Sequence, residues 1–217
     1  MVELEEMFSE IQVKLEADNE TREELIKMGR LSIRNSSLAI RHLHRKEVET
    51  ASKIIEDNSA LIAKINGLAK RMNPSPFGMV LSCNQEYAES VFLFSFLQKK
   101  PFPDYTDLKI PYLAYLHGIP DFIGELRRVT LDSLRRKDNT TAIKALDLMD
   151  ELYSYLMTLD FPDGLTYNLR KKTDFARNIT EKTRGDLTLS LGRIDLLTTF
   201  DKMLKTHLQN DDNDEGE

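Results

Sequence analysis

From Met1 to Arg45 the chain contains no proline and one glycine, Gly29. A run of that length without a breaker, with apolar residues at helical spacing, predicts a single long α-helix over those residues. Over the whole chain breakers are few, with nine Gly and seven Pro in 217 residues. A second helix is predicted over Lys46–Met72, with Ile54, Leu61, Ile65 and Leu68 on its apolar side. The segment NPSPFG, Asn73–Gly78, places two prolines and a glycine within six residues and breaks the helix there. A third helix follows and stops near KKPFPDYTD. A fourth spans about Leu108–Arg136, and a fifth Thr140–Leu159, halted by FPDG at Phe161–Gly164. A sixth runs over about Leu165–Leu189 and a short seventh over Gly192–Leu208. No strand-like alternation bounded by turn residues stands out. The prediction is an all-α, single-domain bundle of about seven helices over residues 1–208, followed by an acidic, disordered tail at 209–217.

Charge excludes little until it is located. The formal net charge is −6, but the tail QNDDNDEGE holds five acids and no base, which leaves the body near −1. No run of about 18 apolar residues occurs, so no membrane span is expected. The N-terminal segment is acidic and amphipathic, unlike a secretory signal or an Arg-rich transit peptide. One cysteine, Cys83, excludes an internal disulfide and fits a reducing cytoplasm, with the thiol packed in the core.

Two short segments carry chemistry. In CNQEYAESVFLFSF, Cys83–Phe96, Glu86 and Glu89 lie on one helical face amid core-type residues such as Met79, Leu93 and Phe96. In YLHGIPDFIGELRR, Tyr115–Arg128, Asp121 and Glu125 are one turn apart, and His117 and Arg128 extend their line. A short connection folds these helices into an antiparallel hairpin, so the two acid pairs can face each other. Four facing carboxylates would repel, and a divalent cation removes that penalty. Oxygen-only donors favour Mg²⁺, with Mn²⁺ as the alternative, and no Glu-x-x-His pair of the di-iron type is present. Glutamates at this spacing are also common on solvated faces. Two such pairs on consecutive apolar helices weigh toward a site, with His117 outside the ligand set.

The same two segments resemble the signature helices of the translin family, and match its nuclease branch, that of translin-associated factor X, better than translin itself. IRNSSLAIRHLHR and LRKKTDFARNITEKTRGDLTLS fit the family in order and spacing, so the resemblance covers nearly the whole chain up to the tail. It implies a translin-like all-α subunit that assembles into a hollow homo-oligomer of eight. It also implies a Mg²⁺-dependent endoribonuclease acting on single-stranded RNA, with catalytic and metal-binding acids at Glu86, Glu89, Asp121 and Glu125. The cation would acidify a water and stabilise the leaving oxygen of a phosphodiester. Pro120, just before Asp121, departs from a regular helix: it either kinks the fourth helix or marks a restart with proline in the first turn.

On the first helix Lys27, Arg30, Arg34, Arg41 and Arg45 form one basic stripe, a track for RNA, or for single-stranded DNA, by its phosphates. A solvated face or a subunit interface would look the same in sequence. The line Arg170, Asp174, Arg177, Glu181, Arg184 alternates in sign and suits a salt-bridge seam. Two other functions share parts of this pattern. An all-α nucleoside triphosphate pyrophosphohydrolase uses similar acid pairs around Mg²⁺, and a non-catalytic single-stranded nucleic-acid-binding shell would need none of them.

Overall fold

The computed structural model describes residues 2–72 and 77–214. Its regular elements are seven helices: α1 (Val2–His44), α2 (Val48–Ala69), α3 (Phe77–Leu97), α4 (Tyr112–Arg135), α5 (Asn139–Met157), α6 (Asp163–Thr166) and α7 (Leu169–Asp214). The long first helix is present as the sequence dictates. The NPSPFG break lies partly outside the described residues, and its last two residues already belong to α3. The segments expected as a sixth and a seventh helix are one continuous 46-residue helix, α7. Gly192 does not interrupt it, because a lone glycine costs a helix only about 1 kcal/mol relative to alanine. The count stays at seven because FPDG, expected only to stop α5, also begins the single turn α6. Pro162 stands at its N-cap, where a missing N–H costs nothing. α7 carries the helix to Asp214, into the acidic segment that starts at Gln209.

The helices sort into two compact units, residues 1–122 with 159–172, and residues 123–158 with 173–217. In the first, α1, α2 and α3 pack against one another. α3 is buried nearly all round, through Val80, Cys83, Tyr87, Ala88, Phe92 and Leu93, as befits a central helix. Buried amides tie these three helices to one another. Asn84 and Asn66 exchange reciprocal amide hydrogen bonds at 2.8 and 2.9 Å, tying α3 to α2. Buried Asn58 donates to the Ser32 carbonyl at 3.2 Å and to Ser36 Oγ at 3.0 Å, tying α2 to α1. Phe92 is fully buried and stacks on Phe102 at 4.7 Å, with Tyr115 at 5.0 Å and Phe122 at 5.7 Å. Cys83 is buried as expected, and burial pushes its thiol up to about 11.

In the second unit α5 buries Ala142, Ala145, Leu146, Met149, Leu152 and Leu156 along one stripe, and Asp138 caps its start by accepting from the Thr141 N–H at 3.0 Å. The seam expected on α7 is partly made: Arg184 pairs with Asp150 of α5 at 2.6 Å and with Glu181 at 3.6 Å, while Arg170, Asp174 and Arg177 are exposed.

Three helices end in the same unusual way. Lys46, Lys99 and Lys137 follow α1, α3 and α4 with φ of 64°, 53° and 61°. The next N–H in each case reaches back to the carbonyl five residues earlier: Glu47 to His42, Lys100 to Ser95 and Asp138 to Ser133, all at 2.9 Å. This left-handed helix stop normally uses glycine, because a Cβ is crowded there. Replacing each lysine by glycine should therefore raise stability by about 0.5–1 kcal/mol. The check is a higher urea midpoint at unchanged m-value. A lower midpoint would mean that the lysine side chains themselves hold these corners.

Candidate functional site

α3 and the first half of α4 meet at Gly118. A Cβ built there would sit 3.1 Å from both Ala88 Cβ and the Gln85 carbonyl oxygen, and 3.4 Å from the Phe92 ring. Since one of those neighbours is backbone, a side chain here would push α3 and α4 apart by a few tenths of an ångström, and glycine favours the close approach. Asp121 follows within a turn of Gly118 and so faces Gln85 and Glu86. α4 runs through Pro120 without restarting. The proline has no N–H for the Leu116 carbonyl and opens the helical ladder in this turn.

Asp121 is the hub. Lys172, in the first turn of α7, donates from Nζ to Oδ2 at 2.8 Å and to Oδ1 at 3.1 Å. The same Nζ donates to the His117 carbonyl at 3.2 Å, in the turn that Pro120 opens. Gln85 Nε2 donates to Asp121 Oδ2 as well. The side chains of Lys172 and Asp121 are only 29% and 26% exposed, so this ion pair is screened less than a surface one. Glu86 belongs to the same electrostatic neighbourhood. Its carboxyl is held above the usual range by burial first and by the Asp121 charge second, while the Lys172 ammonium pulls the other way.

The remaining expected acids lie one helical turn away. Glu89 is buried on α3. On α4, the Glu125 carboxylate stands 3.9 Å from Arg128. Among the described residues, no group of three or more His, Cys, Asp or Glu is gathered closely enough to hold a metal ion. The structure thus places Glu86 within electrostatic reach of Asp121 and leaves Glu89 and Glu125 as the next acids along the same two helices. The donors at hand suit a hard cation, being carboxylate and amide oxygens with no sulfur or imidazole. The ammonium of Lys172 marks where positive charge is favoured.

His117, expected beside the site or at the surface, is a buried strut. Its Nε2 lies 2.8 Å from the Thr166 carbonyl, which can only accept, so Nε2 carries the proton. Burial pushes its pKa down, leaving a neutral imidazole that ties α4 to α6. Sequence reasoning missed Lys172 and Gln85. One signal for the former was available: Leu169, Thr173, Ala176, Thr180 and Thr183 form the buried stripe of α7, and Lys172 is the cation at its margin.

On α1, Lys27, Arg30, Arg34 and Arg41 are exposed, and so is Arg45 in the turn after it, so the whole basic stripe is open to solvent. A groove on α4 lined by Gly124, Arg127, Arg128, Leu131, Asp132 and Arg135 gathers three guanidiniums, of which Arg135 lies 3.5 Å from the Asp132 carboxylate. Of these, Arg127 is tied to Asp186 at 2.8 Å and to Thr183 at 3.0 Å.

Comparison with known proteins converges on one group. An uncharacterised protein of Methanocaldococcus jannaschii is 30% identical over 177 residues, spanning 81% of this chain and 78% of that protein. The crystal structure of AfC3PO superposes with a TM-score of 0.80 at 30% identity, over 86% of this chain and 97% of that one. A structure of AfC3PO in complex with duplex RNA gives 0.79 over the same shares. The fold is shared also with apo-NeC3PO, at a TM-score of 0.77 and 22% identity, over 84% of this chain and 96% of that one. The family model for translin matches residues 20–183, a span that includes the four acids and the whole basic stripe, and on that match the chain belongs to the translin family.

Proposed function

We propose that the protein is a Mg²⁺-dependent endoribonuclease of the translin-associated factor X type, working on single-stranded RNA within a homo-octameric shell. The observation that carries this reading is the pairing of Glu86 and Asp121 across the Gly118 contact, with a cation already drawn to Asp121. Family membership supports it, as does a relative at 30% identity crystallised with duplex RNA.

Glu86 and Asp121 would hold Mg²⁺, with Glu89 and Glu125 the further acids available on the same helices. When bound, the cation supplies Lewis acidity, yielding a more acidic water and offsetting charge on the phosphodiester. The protein's own part is to position the two carboxylates through the close α3–α4 contact at Gly118. Gln85 orients the Asp121 carboxylate from one side. Lys27, Arg30, Arg34, Arg41 and Arg45 would bind RNA phosphates without reading bases, so sequence preference is weak.

Incubating the protein with labelled single-stranded RNA, duplex RNA and a nucleotide panel, with and without Mg²⁺, tests the reading. Light scattering alongside gives the assembly size. Mg²⁺-dependent cleavage of the single strand by an octamer is expected. Nucleotide hydrolysis alone would favour a pyrophosphohydrolase. Binding without cleavage would favour a non-catalytic shell, in which Asp121 and Lys172 are a structural ion pair.

The basic stripe has its own test. Reversing Arg34 and Arg41 to Glu should weaken single-stranded RNA binding, and the log–log salt slope should flatten by about 0.7 for each phosphate no longer neutralised. An unchanged slope would reassign the stripe to subunit packing.

A further inference from the structure

We propose that Lys172 is a built-in competitor for the divalent cation: its ammonium holds the place at Asp121 that the cation must take, so loading requires Lys172 to undock. The proposal rests on the metal-dependent reading above and deepens it. Both Asp121 oxygens accept from Lys172 Nζ, at 2.8 and 3.1 Å, and Oδ2 also accepts from Gln85. A cation that ligates this carboxylate must displace at least one of those bonds, and it repels an ammonium left beside it.

The geometry gives the lysine somewhere to remain. Its third contact, the His117 carbonyl at 3.2 Å, is main chain and carries no titrating charge. An ammonium that gives up Asp121 can therefore stay anchored to the turn before Pro120. Because it is covalently attached, its local concentration does not depend on the solution. A monovalent ion would have to displace it at no gain in charge, whereas a divalent ion gains on every carboxylate it touches. The docked lysine thus raises the divalent concentration needed for loading and discriminates against monovalent cations. In the unloaded state it also compensates the paired carboxylates of Asp121 and Glu86.

Competition of this kind weakens apparent affinity by the fraction of molecules in which the site is free. If Lys172 is docked in about nine molecules of ten, removing its charge tightens binding about tenfold. The experiment is Mn²⁺ titration by calorimetry on the full chain in its native assembly, without RNA, comparing the parent with Lys172→Met, Lys172→Arg, Asp121→Asn and Glu86→Gln. Circular dichroism checks that each variant is folded. Lys172→Met should bind Mn²⁺ about tenfold more tightly than the parent, while Lys172→Arg, which keeps a cation able to hold Asp121, should bind no more tightly than the parent.

Mn²⁺ binding that is abolished in Asp121→Asn yet unchanged or weaker in Lys172→Met would overturn the competitor role and leave the metal site standing. Parent binding that is absent, or indifferent to Asp121→Asn and Glu86→Gln, would overturn both. Should Lys172→Met fail to fold, Lys172→Arg decides alone, since tighter binding in that variant contradicts competition.

Discussion

Glu86→Gln and Asp121→Asn should each reduce RNA cleavage by orders of magnitude in saturating Mg²⁺, and should move stability in opposite directions. Both changes keep shape and remove one carboxylate charge, so on the proposed metal-dependent reading each removes a cation ligand. The difference lies in what each acid faces in the metal-free protein. Glu86 is held above the ordinary carboxyl range by burial and by the Asp121 charge. A carboxyl whose folded pKa is raised destabilises the fold once ionised, and that penalty shrinks as pH falls below the folded value and is gone below the unfolded one. Glu86→Gln should therefore match or exceed the parent's thermal midpoint at neutral pH in chelator, with the advantage shrinking as the solution is acidified. Asp121 instead holds Lys172 and Gln85, and its replacement takes from a half-buried ammonium the carboxylate that it hydrogen-bonds. Asp121→Asn should cost about 1.5–3 kcal/mol, the range for a hydrogen bond to a charged group. Thermal melts of both variants against pH, beside cleavage of labelled RNA, check the pair. Parent-level cleavage by both variants would sink the nuclease site.

The largest effect on stability is expected from Phe92→Ala. Phe92 has no exposed surface and is shared by the rings of Phe102, Tyr115 and Phe122. It also lines the α3–α4 contact at Gly118. Truncating a buried phenylalanine costs about 3–5 kcal/mol, a large share of the roughly 5–15 kcal/mol that holds a typical domain. A loss below about 1 kcal/mol in urea denaturation would show that the cluster relaxes around the gap. Should the variant fold, metal affinity should fall too, because the ring helps set the distance between the two acid-bearing helices.

Much of this was legible because helices advertise themselves locally. The breaker-free stretch before Arg45 marked out α1, and proline and glycine runs placed the ends of α2 and α5 within a few residues. Reading Gly192 as a boundary failed because one glycine without a proline or a cap does not stop a helix. The acid pairs were visible as periodicity within α3 and α4, and so were Glu86 and Asp121 as partners across a hairpin. Lys172 was not, since it lies 51 residues beyond Asp121 and off the charged line Arg170–Arg184. Contacts between distant segments leave no period in either one. Gly118 lies within the YLHGIPDFIGELRR motif, but its role as a point of close approach emerges only when Ala88 and Gln85 are placed against it.

The first helix has a thermodynamic consequence. From Glu3 to Glu24 none of its residues is buried, and Leu25 is the first that is. Those turns, about 33 Å of helix, are held by backbone hydrogen bonds and intrinsic propensity rather than by packing. A helix of that length in water is marginal and melts gradually, not in concert with a core. In the separated subunit, ellipticity at 222 nm should then decline steadily through the temperatures at which Phe92 and its neighbours are still fully packed, and calorimetry should record that decline as a sloping native baseline. Amide exchange would divide the helix at Leu25, fast before it and slow after. A flat baseline that acquires a slope on dilution would mean that a neighbouring copy covers Leu4, Phe8, Ile11 and Leu15, the apolar side chains now open to water.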